Sequence, residues 1–348
     1  MNHPDFTPQF LSSHSDKSFN HTAIELFHHQ YEQNIVYKNY CNSLGKKTDS
    51  VLTWQDIPAV PTDVFKLHET PLISFPENEK KYTFTTSGTT RDIKGHHHFP
   101  SLSTYEDSII QCWQQLKLPK LTNTIILTQH PKNAPHSSLS YMMYMLVSRY
   151  DKSRNTTTWA INTDGSLNME LIRQTIQKAQ TQNTPVAILG TALAFLHIFD
   201  QLDGLLILPE LSWAMETGGY KGSHRHLEKS ELYSLFHQKL GLKTNSVINE
   251  YSMTELSSQF YTQGIDGVHT GPHWTRIRVI DPLTEKDAAT DQAGHLIIYD
   301  LANIHSVLAI RTQDIAIQKG PNSFSLLGRD PSALPRGCSR AADESLQS

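Results

Sequence analysis

Cysteine is scarce in this sequence: there are three in 348 residues, Cys41, Cys112 and Cys338, with no CxxC pair. That spacing argues against a zinc knuckle or a disulfide framework. Positive charge is not in excess either. Thirty Lys and Arg stand against 34 Asp and Glu, giving a formal net charge of -4. The chain therefore lacks the basic footprint of a nucleic-acid-binding protein. No uninterrupted apolar run reaches the roughly 20 residues of a membrane-spanning helix. The most apolar stretch, 185–211, is broken by Gly190, His197, Asp200, Asp203 and Gly204. Residues Met1 to Phe10 are polar, unlike a signal peptide, so the expected compartment is the cytoplasm. Also missing are the Gly-x4-Gly-Lys-Ser/Thr, His-Glu-x-x-His and Gly-x-Ser-x-Gly patterns, so Walker-loop, zinc-protease and serine-hydrolase readings have no anchor. His269 and His273 have the i,i+4 spacing of a helical metal pair, but Gly271 and Pro272 lie between them and disfavour a helix there.

The composition itself, 38% hydrophobic and 18% charged, fits a globular protein with one large domain or two ordinary ones. The 19 His residues would carry the net charge positive in mild acid. Residues 19–40 have the spacing of helix, and four prolines between 58 and 76 then break the chain into short pieces. From Tyr82 strands and helices alternate. Strands are expected at 82–86, 124–128, 156–161, 186–189 and 213–215, and helices at 103–116, 138–149, 167–180 and 192–202. Ser103 and Glu106 have the spacing of a capping box. This alternation predicts an α/β domain with strands covered on both faces. After Asn249 the texture changes to short β-rich runs at 275–280, 295–300, 306–310 and 315–317. Cys41 and Cys112 fall in the helical segments and read as packing residues.

The sharpest local signal is Thr85-Thr86-Ser87-Gly88-Thr89-Thr90, directly after an expected strand. Small hydroxyl residues around a glycine let backbone N–H groups and hydroxyls wrap a phosphate, although a bare cluster of this kind is also an ordinary turn. Tyr251-Ser252-Met253-Thr254-Glu255 places a carboxylate, a hard-oxygen magnesium ligand, beside a hydroxyl; Ser252 and Glu255 also have the spacing of a helix start. Thr312-Gln313-Asp314, Gly328-Arg329 and Glu216-Thr217-Gly218-Gly219-Tyr220-Lys221-Gly222 follow the same rule: each is unremarkable alone.

Taken in order, these segments resemble the acyl-adenylate-forming superfamily, whose phosphate loop usually reads Thr-Ser-Gly-Thr-Thr-Gly-x-Pro-Lys-Gly. The loop here has Arg91 and Ile93 where Gly and Pro are usual, which leaves the role of Lys94 open. The resemblance implies that Thr86, Ser87, Gly88, Thr89 and Thr90 enclose phosphate. It implies that Thr254 contacts phosphate and Glu255 holds Mg2+, with Tyr251 at the head of the motif. Asp314 would accept both ribose hydroxyls, Arg329 would face the nucleotide, and Gly218 and Gly219 would lie under the adenine. Lys221, with Arg225, would neutralise phosphate charge during catalysis, or else be a solvated surface charge. His96, His97 and His98 follow the loop where the superfamily tends to carry histidine, so one of them would touch substrate or phosphate; a surface histidine run is the other reading.

The Glu216–Gly222 run together with Leu189-Gly190-Thr191-Ala192, Ser137-Ser138-Leu139-Ser140 and Pro335-Arg336-Gly337-Cys338-Ser339 looks like the acyl-protein synthetase (LuxE-type) family, over about residues 19–344. In that family a cysteine near the C-terminus receives the acyl group as a thioester, and Cys338 matches it. Arg336 and Arg340 flank the thiol and favour its thiolate. Superfamily ligases usually continue for about a hundred residues beyond the Gly-Arg as a mobile domain; only 19 residues follow Arg329 here, so that domain is expected to be absent in full form. The implied organisation is an N-terminal extension (1–18), an α/β adenylate-forming core (19–249), a β-rich subdomain completing the nucleotide site (250–330) and a flexible cysteine-bearing tail (331–348). The implied activity is ATP-dependent conversion of a carboxylic acid, expected to be a fatty acid, to an acyl-adenylate, with transfer to a thiol and onward to an acyl reductase or acyl carrier protein. A ligase that loads coenzyme A or an acyl carrier protein directly, and a non-catalytic nucleotide- or acyl-binding component favoured by Arg91 and Ile93, are the alternatives.

Overall fold

The computed structural model describes residues 6–67, 69–86, 93–151, 156–218 and 227–330. The chain forms two compact units. Among the described residues, one comprises those up to 116 with 253–260 and 268–330, and the other those of 117–252 and 261–267. The boundary read from the sequence at Asn249 falls inside a strand, Val247–Tyr251. Residues up to 116 group with the C-terminal strands, not with 117–249.

In the second unit the strands Thr157–Trp159, Thr124–Leu127, Ala187–Thr191, Trp213–Thr217 and Val247–Tyr251 lie side by side in that order, all parallel. Near-continuous apolar strands such as Thr124-Ile-Ile-Leu127 are what a sheet covered on both faces requires. The helices Ser138–Tyr150, Met169–Gln182, Ala192–Asp200 and Lys229–Leu240 supply the cover. Ile172, Ile176 and Ala179 form the inward stripe of the second helix, while Phe195, Phe199 and Phe236 meet edge-on or tilted in the core. Asn168 and Thr191 accept backbone N–H bonds as N-caps of their helices, which fixes where each helix starts.

The first unit is built around antiparallel strands in the order Thr275–Ile280, Ala293–Asp300, Ala309–Gly320, Ser323–Arg329 and His269–Thr270. Val60–Pro61 pairs in parallel with Ala309–Gly320. Of the two short runs expected at 306–310 and 315–317, Ala309, Ile310 and all of 315–317 fall in this one long strand, which runs through a register shift at 312–314 where the Thr312 hydroxyl donates to the Leu296 carbonyl; 306–308 precede it. Tyr82–Thr85 and His96–Phe99 form a separate hairpin. The helix Asp16–Gln33 begins in a reciprocal Ser15/Ser18 capping box and buries Phe19, Ala23, Leu26, Phe27 and Gln30 along one face. Asn34 ends that helix and caps the next, Ile35–Ser43, so the single helix expected over 19–40 is two.

The capping box expected at Ser103 and Glu106 is a correction: the helix Ser103–Gln115 is capped by Leu102, with no side-chain cap bond. Ser101 accepts the Ser103 N–H instead. Residues 252–259 contain no helix, which removes the helix-start reading of Ser252 and Glu255. No helix among the described residues is long and apolar enough to cross a membrane.

Candidate active site

Most described candidates lie in the first unit. Thr86 follows the hairpin strand Tyr82–Thr85 and closes its mouth. Its N–H donates to the Gly95 carbonyl at 2.9 Å, and its hydroxyl accepts the Gly95 N–H at 2.7 Å. The rest of the phosphate loop, Ser87, Gly88, Thr89 and Thr90 with Arg91, lies outside the described residues, as do Gly219, Lys221, Arg225 and Cys338. Ile93 and Lys94, where the chain resumes, are exposed.

Thr254 and Glu255 are buried on an irregular stretch, 252–259. Irregular buried backbone must find its hydrogen bonds from side chains, and three residues provide them. His97 Nδ1 stands 2.8 Å from the Thr254 carbonyl, which can only accept, so Nδ1 carries the proton; the Ser306 hydroxyl then donates to Nε2 at 2.9 Å. Asn303 donates to the Glu255 carbonyl at 2.9 Å. Asp300 accepts the Ser257 and Ser258 N–H groups, the Ser258 hydroxyl and the Ala302 N–H. Burial drives the His97 pKa down to about 3 and the Asp300 pKa up to about 6. His97 is thus a neutral donor. With both nitrogens held by protein groups, it is neither a phosphate ligand nor part of a surface histidine run, which corrects both readings for that residue.

Asp314 and Arg329 are cross-strand partners on Ala309–Gly320 and Ser323–Arg329. Asp314 is buried and its N–H donates to the Thr312 hydroxyl at 3.1 Å, while Arg329 donates to the Gln313 side chain. Gly328 has φ +131°, a conformation that L side chains rarely adopt, and pairs with Ile315 at the edge of a register shift, while Arg329 beyond it keeps its pairing with Asp314. The short helix Thr62–Lys66 ties these groups together: Phe65 packs edge-on against His97, ring centroids 5.5 Å apart, and Asp63 lies 3.4 Å from the Gln313 amide.

The second unit holds Gly218 and Tyr251. Thr217 pairs with Glu250 on neighbouring parallel strands, so Gly218 and Tyr251 occupy the corresponding next positions at the strands' carboxyl ends. That end of a parallel α/β sheet is where ligands bind. Gly218 has φ +76°. Two carboxyl groups that sequence reasoning missed are buried there. Glu216 accepts from Asn249 at 2.7 Å and from Tyr233 at 3.3 Å, and Glu250 accepts from the Thr217 hydroxyl. Burial raises both pKa values to about 7. Glu216 heads the Glu216–Gly222 run, and the signal common to both is a carboxylate inside a mostly apolar strand.

Among the described residues no cluster of three metal-ligating side chains occurs. Glu255 alone still fits magnesium, which is bound through one or two carboxylates together with substrate phosphates.

A family model described as acyl-protein synthetase, LuxE, matches residues 6–347. A long-chain-fatty-acid–luciferin-component ligase of Vibrio harveyi is 24% identical over 327 residues, covering 89% of this chain and 82% of that protein. Its namesake from Aliivibrio fischeri is 22% identical, covering 90% and 82%. Among solved structures, 2-hydroxyisobutyryl-CoA ligase in an open conformation with 2-HIB-AMP and CoA superposes with a TM-score of 0.62 at 12% identity, over 91% of this chain and 75% of that one. That likeness establishes the adenylate-forming ligase fold. The chain belongs to the acyl-protein synthetase (LuxE) family, enzymes that activate a carboxylic acid with ATP through an acyl-adenylate.

Proposed function

We propose that this chain activates a fatty acid in the cytoplasm and passes the acyl group to the thiol of Cys338, from which an acyl reductase or acyl carrier protein takes it. A carboxylate oxygen attacks the α-phosphorus of ATP, the bond to the bridging oxygen breaks, and pyrophosphate leaves. The Cys338 thiolate then attacks the carbonyl carbon of the mixed anhydride, and AMP leaves. The names of the Vibrio harveyi and Aliivibrio fischeri relatives support the fatty acyl group.

The observation that carries the residue assignments is the chain of short contacts in the first unit, Thr86–Gly95, Phe65–His97–Thr254 and Asp63–Gln313–Arg329. In this reading Thr86 with Ser87–Thr90 encloses phosphate, the Thr254 hydroxyl donates to it, and Asp314 accepts the ribose hydroxyls. Arg329 faces the nucleotide, Gly218 and Gly219 lie under the adenine beside Tyr251, and Lys221 neutralises phosphate charge. Glu255 would hold magnesium, which, when bound, screens the triphosphate. The residues act by positioning and by charge neutralisation.

Pyrophosphate exchange across a panel of saturated fatty acids tests the first half: exchange with at least one acid is expected, and none with any acid sinks the proposal. Labelled acid with ATP tests the second. Cys338→Ser should abolish covalent acyl-protein while exchange stays within about twofold; acyl-protein persisting in that variant would move the acceptor elsewhere.

A further inference from the structure

We propose that His97 is a positioning residue: its imidazole holds the Thr254–Glu255 backbone in the orientation that presents the Thr254 hydroxyl and the Glu255 carboxylate to a magnesium-bound polyphosphate. The inference rests on the nucleotide roles assigned above to those two residues.

The carbonyls of two successive residues are each pinned by a buried side chain, Thr254 by His97 and Glu255 by Asn303. Two residues on, Asp300 fixes the Ser257 and Ser258 N–H groups, and Trp274 donates to the Ser258 hydroxyl at 2.8 Å. The far side of the stretch is therefore anchored without His97. What His97 adds is the orientation of one peptide plane, the one that follows Thr254. His97 is itself held from both ends, by the Thr254 carbonyl and by the Ser306 hydroxyl, and by Phe65 and Phe99 against its ring. It also sits on the hairpin strand His96–Phe99, whose other strand leads into Thr86. The same imidazole thus couples the strand pair that bears the phosphate loop to the segment that bears the proposed phosphate and magnesium contacts. Its neighbours do otherwise: His98 Nδ1 meets Thr83 at 2.8 Å within the hairpin.

Three substitutions separate positioning from bulk packing. His97→Asn keeps a donor near the place of Nδ1, His97→Gln places its amide near Nε2, toward Ser306, and His97→Leu keeps volume with no donor. Dissociation constants are measured by competition with a fluorescent ATP analogue, for MgATP and for adenosine, alongside thermal melting. The expected result is an approximately tenfold weaker MgATP affinity in His97→Leu and His97→Gln, with His97→Asn within about threefold and adenosine affinity unchanged in all three. Adenosine serves as the control because it lacks the phosphates that Thr254 and Glu255 would address. Unchanged MgATP affinity in His97→Leu, or an equal loss of adenosine and MgATP, overturns the positioning role. Failure of the native chain to bind MgATP at all would instead overturn the nucleotide assignments, and this role with them. If His97→Leu does not fold, the His97→Gln to His97→Asn ratio carries the same decision.

Discussion

At the scale of single residues, the two buried carboxyl groups at the ends of Trp213–Thr217 and Val247–Tyr251 have a consequence for stability. Burial raises Glu216 and Glu250 from 4.5 to about 7. Between those values the folded chain keeps protons that the unfolded chain has released, so stability is greatest below about pH 4.5 on their account. It falls as pH rises towards 7. Each group contributes on the order of 3 kcal/mol to that fall. Glu250→Gln keeps an acceptor for Thr217 and cannot ionise. Its denaturation midpoint should lose part of the native chain's decline between pH 5 and 7.5; a decline of equal slope in both proteins would show that Glu250 is not the group responsible. A sequence offers a site residue most readily where the chemistry demands one type, as in the roles proposed for Glu255 and Asp314. A run of three histidines looks solvated, yet His97 and His98 are both buried, His97 with its ring against Phe99.

At the scale of elements, the helices and parallel strands from 124 to 217 were legible because apolar runs bounded by turns leave few alternatives, whereas the helix Lys229–Leu240 and the strand Val247–Tyr251 were not read. The segments that depend on remote partners were not. Ala309–Gly320 looks like two strands because polar Thr312, Gln313 and Asp314 interrupt the apolar pattern, yet the strand runs through them across a register shift, with Asp314 paired to Arg329 and the Thr312 hydroxyl donating to the Leu296 carbonyl. Gln30 shows the same dependence. In the last turn of its helix, on a mostly apolar face, its amide donates to the Asn303 carbonyl at 2.8 Å and accepts the Leu308 N–H at 2.9 Å. Gln30→Leu preserves the helix and its volume but strands both backbone groups in the interior. It should destabilise the chain by about 2–4 kcal/mol, from about 1–3 kcal/mol for each buried group left unsatisfied, less the gain in apolar burial. Urea denaturation would show this as a lower midpoint, and a loss below about 0.5 kcal/mol would mean that water or another group replaces the amide.

At the scale of the whole molecule, ligand occupancy should be visible as stability. An acyl-adenylate held by the folded chain and not by the unfolded one raises the melting midpoint by mass action. MgATP and a fatty acid together should therefore raise it by several degrees more than either alone, because only the pair generates the adenylate. Cys338→Ser should retain the larger shift, since it removes the step that discharges the intermediate. Equal shifts with MgATP alone and with the pair would indicate binding without chemistry. The family and its fold were both recognisable from short motifs in order. The grouping of 1–116 with the last strands was not, because it rests on contacts such as Gln30–Leu308 and Val60–Ile310 that no local pattern announces.

That grouping bears on how the chain is made. The helix Asp16–Gln33 and the strand Val60–Pro61 emerge from the ribosome long before the strands that complete their unit, roughly 10–50 s at translation speeds of about 5–20 residues per second. During that interval Phe19, Phe27 and Val60 have no sheet to cover. Slower synthesis lengthens the exposure, so recombinant yield should depend on holdase chaperones more than the stability of the finished enzyme would suggest.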